Sequence, residues 1–385
     1  MRAVAWHGKE DIRVEQVPDP VIQEPTDAII RVTSTAICGS DLHLYAKLGL
    51  FMRPGDVIGH EPMGVVEAVG ADVRHIAPGD RVVVPFNISC GDCFFCAQGL
   101  QSQCETTQVR EHHKGAALFG YTHLYGAVPG GQAEYLRVPM AHYGPVKVPE
   151  GPPDERFLYL SDVLPTAWQA VQYAGVPAGG SLTVYGLGPI GLMCVRIARQ
   201  LGVERVIAVD LVDERLELGR RWGAETIDYR EHDDVAREIL DRTKGRGTDS
   251  VIDAVGMEAE GSKAAEIAQA LKIQMDRLEA LRLSIGSVRR GGTLSIVGVY
   301  VGVDNLIPMG DLFDKQVQIR MGQANVRRWV DDILPLLTGD ADPLGTEELA
   351  THHLPLDAAP AAYDMFQRKQ DGCVKVVLHP GEVAA

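Results

Sequence analysis

Four cysteines within fifteen residues, Cys90, Cys93, Cys96 and Cys104, constrain this chain more than any other feature. They read C-x2-C-x2-C-x7-C. The two-residue gaps let one short loop present three sulfurs to a single point, and the longer gap brings a fourth back to close a tetrahedron. A closed set of four thiolates suits zinc in a structural rather than a catalytic role. Two such cysteines alone could be buried hydrophobes or a redox pair. Four of them, flanked by glycine and polar residues, do not read as core. A disulfide scaffold belongs to short secreted chains, whereas this chain has 385 residues and seven cysteines in all.

That length exceeds one ordinary core and implies two domains. Before Ser161 the chain carries short β-like runs closely punctuated by Gly and Pro, among them Ala28 to Thr33, Gly64 to Val69 and Asp80 to Pro85. After it the character changes. The apolar runs Ser181 to Tyr185, Arg205 to Asp210, Ser250 to Val255 and Thr293 to Val297 alternate with amphipathic stretches such as Asp213 to Trp222 and Asp233 to Arg242. Such alternation implies a parallel sheet with helices on both faces. The expected class is α/β: a doubly wound Rossmann sheet over 163–320, and a β-rich domain built from 1–162 and 321–385.

Gly186-Leu-Gly188-Pro189-Ile190-Gly191 is G-x-G-x-x-G, directly after one of these strands and at the start of a helix expected over Ile190 to Leu201. Gly186 permits the tight turn, Gly188 lets backbone approach a pyrophosphate, and Gly191 allows close packing of helix on sheet. Pro189 and Ile190 open the helix whose N-terminus faces the phosphates. Asp210 ends the next strand, where a carboxylate accepts from ribose hydroxyls and repels a 2′-phosphate, favouring NAD. The alternative, a helix N-cap, does not exclude the ribose role. Arg215, one turn into the following helix, is a weaker cofactor candidate. From Met257 to Arg290, Ile267, Leu271, Met275, Leu278 and Leu281 or Arg282 fall near helical spacing. They read as a surface helix docked by one apolar stripe, or as a flap over the cofactor.

A formal net charge of −15 argues against nucleic acid or anionic membrane as partner. Met1 to Glu10 has no apolar signal core, and no apolar run reaches spanning length, so a cytoplasmic location is expected.

Two motifs lie upstream of the cysteine loop, Cys38-Gly-Ser40-Asp-Leu-His43 and Gly59-His60-Glu61-Pro-Met-Gly64, the latter followed by Gly70. With that loop and the Gly-rich turn, they make the whole chain resemble the zinc-dependent medium-chain alcohol dehydrogenases. The resemblance implies a GroES-like catalytic domain and two zincs per subunit, the catalytic one held by Cys38 and His60. In many members the third ligand is a cysteine; here Ser161-Asp162-Val stands in its place, and Asp162 is the expected ligand. That change resembles the formaldehyde dehydrogenase branch, as do Leu118 to Leu124 and Gly130 to Leu136. A carboxylate in place of a thiolate is a harder donor and should sharpen the Lewis acidity of the metal.

By resemblance, Ser40 takes the substrate proton and His43 relays it, His43 otherwise being a surface residue. Glu61 is either a group that approaches the metal or a buried acid paired with a cation. Val255, Val297, Gly298, Gly322 and Gln323 are implied to line the cofactor. Lys375 reads as a surface lysine, or as a contact for the pyrophosphate. The implied activity is hydride transfer from an alcohol or hydrated aldehyde to NAD, extending to aldehyde dismutation if NADH is retained. Polyol or secondary-alcohol oxidation, and a non-catalytic nucleotide binder, are the alternatives. A homo-oligomer, tetramer or dimer, is implied.

Overall fold

A computed structural model describes residues 1–46, 49–256, 278–300 and 307–382. The chain divides into two compact units, Met1–Pro165 with Ala324–Ala385, and Thr166–Gln323. In chain order the strands of the first are β1 (Arg2–Gly8), β2 (Asp11–Gln16), β3 (Ala28–Ile37), β4 (Asp56–Val57), β5 (Glu61–Val69), β6 (Arg81–Val83), β7 (Tyr135–Val138) and β8 (Val146–Lys147). The second unit holds β9 (Ser181–Tyr185), β10 (Arg205–Asp210), β11 (Glu225–Asp228), β12 (Thr248–Asp253), β13 (Val288–Ile296) and β14 (Gln318–Met321). The chain then returns to the first unit with β15 (His352–Pro355) and β16 (Val376–His379).

In the first unit β3 is the spine of a sheet ordered β15-β16-β3-β5-β6-β8, with β7 also paired to β3. Its sequence, AIIRVTSTAI, is rich in β-branched residues that suit a pleated, buried surface, and only Arg31 of the ten is exposed. Ala28, Ile30 and Val32 join Val66, Val82 and Leu136 in one core, and each fully buried aliphatic side chain contributes about 1.5–3 kcal/mol. Register then decides what the end of β3 carries. Ala36 lies opposite Glu61 of β5, and Ile37 opposite Val376 of β16. Three segments distant in sequence therefore converge next to Cys38.

In the second unit all six strands are parallel, in the order β11-β10-β9-β12-β13-β14. Residues such as Leu182, Val184, Val206, Ile207, Val251 and Ile252 are buried, as befits strands covered on both faces. Strand order reverses between β9 and β12, the position where a doubly wound sheet opens a crevice at its carboxyl edge. β13 starts at Val288, earlier than the run at Thr293 predicts, because its pairing to β12 changes register between Thr248 and Ser250. Of the stretch from Met257 to Arg290, residues 257–277 lie outside the described residues, and the flap reading falls on them. The rest forms the helix Glu279–Ser287, with Leu278, Leu281 and Ile285 buried against Ile239, Val251 and Leu294.

Candidate zinc centres and cofactor crevice

The cysteine loop forms a compact lobe in the first unit. Cys90, Cys93, Cys96 and Cys104 bring their sulfurs within 4.8 Å of one another. Cys104 Sγ lies 3.6 Å from Cys90 Sγ and 3.9 Å from Cys93 Sγ. Four sulfurs about 2.3 Å from one ion are about 3.8 Å apart, so the donors fit zinc. Backbone and hydroxyl groups feed the sulfurs: Cys90 N–H donates to Cys104 Sγ, Glu105 N–H to Cys93 Sγ, and Thr106 Oγ1 to Cys90 Sγ. Burial raises the Cys104 thiol, but hydrogen bonds from Cys90 N–H and from Thr107 outweigh it and hold the group down at about 7, favouring the thiolate that a metal requires.

The second donor set is assembled from afar. Cys38 follows β3, His60 precedes β5, and Asp162 follows the helix Asp154–Leu158 and the single turn Tyr159–Ser161. Phe86 N–H, donating to Ser161 O at 3.0 Å, fixes that turn. Asp162 Oδ2 sits 3.6 Å from Cys38 Sγ and 3.3 Å from His60 Nε2. One tetrahedral zinc would set these separations at about 3.3–3.6 Å. All four of Cys38, His60, Glu61 and Asp162 are buried, with donor atoms within 4.8 Å of one another. Burial, and then the Glu61 carboxylate, push the Cys38 thiol up to about 11. Binding of a dication as thiolate reverses that cost, so this donor set also fits a metal.

Around these donors runs a shell that the sequence reading left without roles. Asp41 Oδ1 lies 3.0 Å from His60 Nδ1. Its other oxygen accepts from Cys38 N–H at 2.9 Å and from Gln132 Nε2 at 3.3 Å, and Tyr363 Oη donates to Gln132 Oε1 at 2.8 Å. The spacing of Cys38 and Asp41 is that of a capping box, so Asp41 was findable. Ser40 Oγ lies 3.2 Å from His60 Nε2, and the Phe86 ring approaches His60 edge-on.

One expectation requires correction, and one alternative falls away. Lys375 is fully buried, not at the surface, and its Nζ lies 2.8 and 2.7 Å from the two oxygens of Glu61. Register explains this: Lys375 precedes Val376, which faces Ile37, while Glu61 faces Ala36 across β3. Burial pushes the Glu61 carboxyl up and the lysine opposes it, so Glu61 is a buried acid paired with a cation as well as a neighbour of the metal donors. His43 is likewise buried, on the helix Gly39–Ala46, rather than a surface residue.

In the second unit the Gly-rich turn joins β9 to the helix Pro189–Gln200, with Gly188 as N-cap and Pro189 at the first position. A Cβ on Gly191 would fall 1.7 Å from Gly186 O, so only glycine allows the helix this close. A Cβ on Gly188 would meet nothing within 4 Å. The protein itself does not demand glycine there, and the space in front of it is open. Asp210 is not an N-cap, since Val212 caps the helix Asp213–Arg221. Its carboxylate instead accepts from Leu187, Leu211 and Val212 N–H at 2.5, 2.7 and 2.9 Å, tying the Gly-rich turn to β10. Val255, Val297, Gly298, Gly322 and Gln323 follow β12, β13 and β14 on the same carboxyl edge. Asp253, absent from the sequence reading, orders this edge by accepting from Val255 and Gly256 N–H and from Tyr300 Oη. Arg215 is half-buried on the helix after β10.

A parallel Rossmann-like sheet in one unit, and in the other two groups of metal-type donors, Cys90/Cys93/Cys96/Cys104 and Cys38/His60/Glu61/Asp162, define a zinc- and nucleotide-dependent dehydrogenase. Comparison agrees. Residues 24–150 match the alcohol dehydrogenase GroES-like domain, and residues 189–271 the zinc-binding dehydrogenase family. Over 99% of its length the chain is 44% identical to a Bacillus subtilis protein, described as the uncharacterized zinc-type alcohol dehydrogenase-like protein AdhB, of which it covers 100%. It is 34% identical over 98% of its length to the formaldehyde dismutase of Pseudomonas putida, covering 97% of that protein. Alcohol dehydrogenase TADH from Thermus sp. ATN1 has a similar structure, with a TM-score of 0.83 at 36% identity over 98% of this chain and 99% of that one. The chain belongs to the zinc-dependent medium-chain alcohol dehydrogenase family, and it is a zinc-type alcohol dehydrogenase acting on CH–OH. Among the described residues, no helix is long and apolar enough to cross a membrane.

Proposed function

We propose that this enzyme is an NAD-dependent dehydrogenase of the formaldehyde dehydrogenase type, oxidising a small alcohol or the hydrate of a small aldehyde. The observation that carries this reading is the Asp162 carboxylate, 3.3 Å from His60 Nε2 and 3.6 Å from Cys38 Sγ, where many relatives use a cysteine. The likeness to a formaldehyde dismutase supports it.

Cys38, His60 and Asp162 would hold the catalytic zinc, which when bound supplies a Lewis acid with one position open to a substrate oxygen. NAD supplies the hydride acceptor. Asp41 orients the His60 ring through Nδ1, and Gln132 and Tyr363 hold Asp41 in turn. Ser40 Oγ, beside His60 Nε2, takes the substrate hydroxyl proton, and His43 on the same helix passes it onward. Lys375 balances the Glu61 charge, leaving the anionic donors Cys38 and Asp162 to the metal. Cys90, Cys93, Cys96 and Cys104 would hold the structural zinc. Asp210 accepts from the ribose hydroxyls of NAD with the oxygen lone pairs that its three N–H partners leave. A 2′-phosphate about 6 Å away would be repelled by about 3 kcal/mol at an effective dielectric of 20, roughly a hundredfold preference for NAD over NADP.

The test is the metal and nucleotide content of protein purified without either, followed by turnover of small alcohols and aldehydes with NAD, NADP or neither added. Two tightly held zincs and oxidation preferring NAD are expected. Retained NAD(H), with aldehyde consumed without added nucleotide, would extend the reading to dismutation. One zinc or none, or polyols turned over while small aldehydes are not, would overturn it.

A further inference from the structure

We propose a third metal site, on the first unit and separate from both zinc centres, formed by Glu155, His353 and His379 and taking a divalent transition metal such as zinc. These residues are the one further group of metal-type donors among the described residues. They come from three segments: Glu155 from the first turn of the helix Asp154–Leu158, His353 from β15, and His379 from the end of β16. β15 and β16 are parallel, with Pro355 opposite His379, so His353 stands diagonally across from His379 on one face of the sheet.

The distances are those of a coordination face. Glu155 Oε1 lies 3.3 Å from His353 Nδ1 and 3.7 Å from His379 Nε2, and the two nitrogens are 3.5 Å apart. One face of a tetrahedron around zinc, with nitrogen and oxygen ligands near 2.1 Å, has edges of about 3.4 Å. The fourth vertex faces outward, because the His353 side chain is 45% exposed while those of Glu155 and His379 are 15% and 19% exposed.

A hydrogen-bonded chain behind the site sets the tautomer of His379. Asp154 accepts from Arg81 at 2.7 Å on one oxygen, and from Thr33 and Ser34 hydroxyls on the other. Ser34 has one hydroxyl hydrogen and donates it in the bond to Asp154. The Ser34 oxygen, 3.3 Å from His379 Nδ1, is then left to accept, which places the ring proton on Nδ1. The Nε2 lone pair therefore faces the Glu155 carboxylate and the second imidazole. A carboxylate oxygen and two imidazole nitrogens pointed at one spot ask for a cation. Two imidazoles with one carboxylate suit zinc, copper, nickel or cobalt rather than magnesium or calcium. The competing arrangement is a second proton on His379, making an ion pair with Glu155 and binding no metal.

The experiment is calorimetric titration of the untagged full-length enzyme, dialysed against a mild chelator until two zincs per chain remain, with Zn²⁺ and separately with Mg²⁺. A third, reversible equivalent of zinc and no magnesium binding are expected. His353→Gln and His379→Gln should each weaken that third equivalent by about tenfold or more. The two resident zincs and turnover should stay unchanged, so the result does not depend on which substrate the enzyme oxidises. His353, the most exposed of the three, is the variant least able to disturb the fold. Absence of a third equivalent in the wild type at millimolar zinc overturns the site, and so does its persistence at unchanged affinity in the double variant.

Discussion

Both zinc centres of the first unit use buried cysteine, yet they are built on opposite plans. The cysteine lobe takes all four donors from one loop, and its supporting bonds come from that loop as well, from Cys90 and Glu105 N–H and the Thr106 hydroxyl. The other centre draws Cys38, His60 and Asp162 from three segments; Asp41 and Glu61 neighbour those donors in sequence, but their partners Gln132, Tyr363 and Lys375 come from further segments still. A local centre can be self-supporting and serve stability. A dispersed centre inherits its geometry from the whole sheet, so it can present an open position held to fractions of an ångström, and it fails when distant residues change.

The largest effect should come from exchanging one ligand in each centre. Asp162→Ala is expected to lose one zinc and, with several kcal/mol of barrier lowering gone, to drop turnover about a thousandfold or more. Its unfolding temperature should stay near the wild-type value. Cys104→Ala should lose the other zinc and lower the unfolding temperature instead. Metal analysis, calorimetry and initial rates on the pair decide the matter, and an identical pattern in both variants would break the contrast.

Lys375→Met sharpens it. Leaving the Glu61 carboxylate buried and unpaired should cost about 3–5 kcal/mol in urea unfolding. The double variant Glu61→Gln with Lys375→Met should recover most of that loss. A Lys375→Met protein as stable as the wild type would show that the pair does not tie the start of β16 to β5 across β3.

The smallest effect expected is confined to one ligand's orientation. Asp41→Asn keeps the shape but weakens the hold on the His60 ring, and should lower zinc affinity at that centre about 10–100-fold. Competition against a chromogenic chelator should show this, with the cysteine lobe unaffected. Equal weakening at both centres would mean that the two are not independent.

The same contrast explains what could be read from the chain itself. The cysteine lobe was legible because spacing within one loop fixes where its sulfurs go. The alternation from β9 to β13 and the Gly-rich turn were legible for a similar reason, since each is a local pattern of apolar periodicity and small residues. Asp162 was reached only through resemblance, and Asp41 lay inside a quoted motif without a role. Lys375 was misread as exposed. Nothing near Val374 or Val376 signals that its ammonium faces Glu61, because that meeting is set by two antiparallel registers across β3. Asp210 was placed at the end of its strand, but its ties to Leu187, Leu211 and Val212 N–H depend on how the Gly-rich turn folds back over β10.

The Glu61–Lys375 pair also puts the two centres on different clocks. The members of the pair stand 314 residues apart. At about 5–20 residues per second, a ribosome needs roughly 15 to 60 s between them. The cysteine lobe has all its ligands once Cys104 has been made, early in that interval. The other centre must wait for Asp162, then for the entire second unit, and finally for β16 to deliver the ammonium that neutralises Glu61. The order in which the nascent enzyme can accept its metals is thus written into the order of its residues.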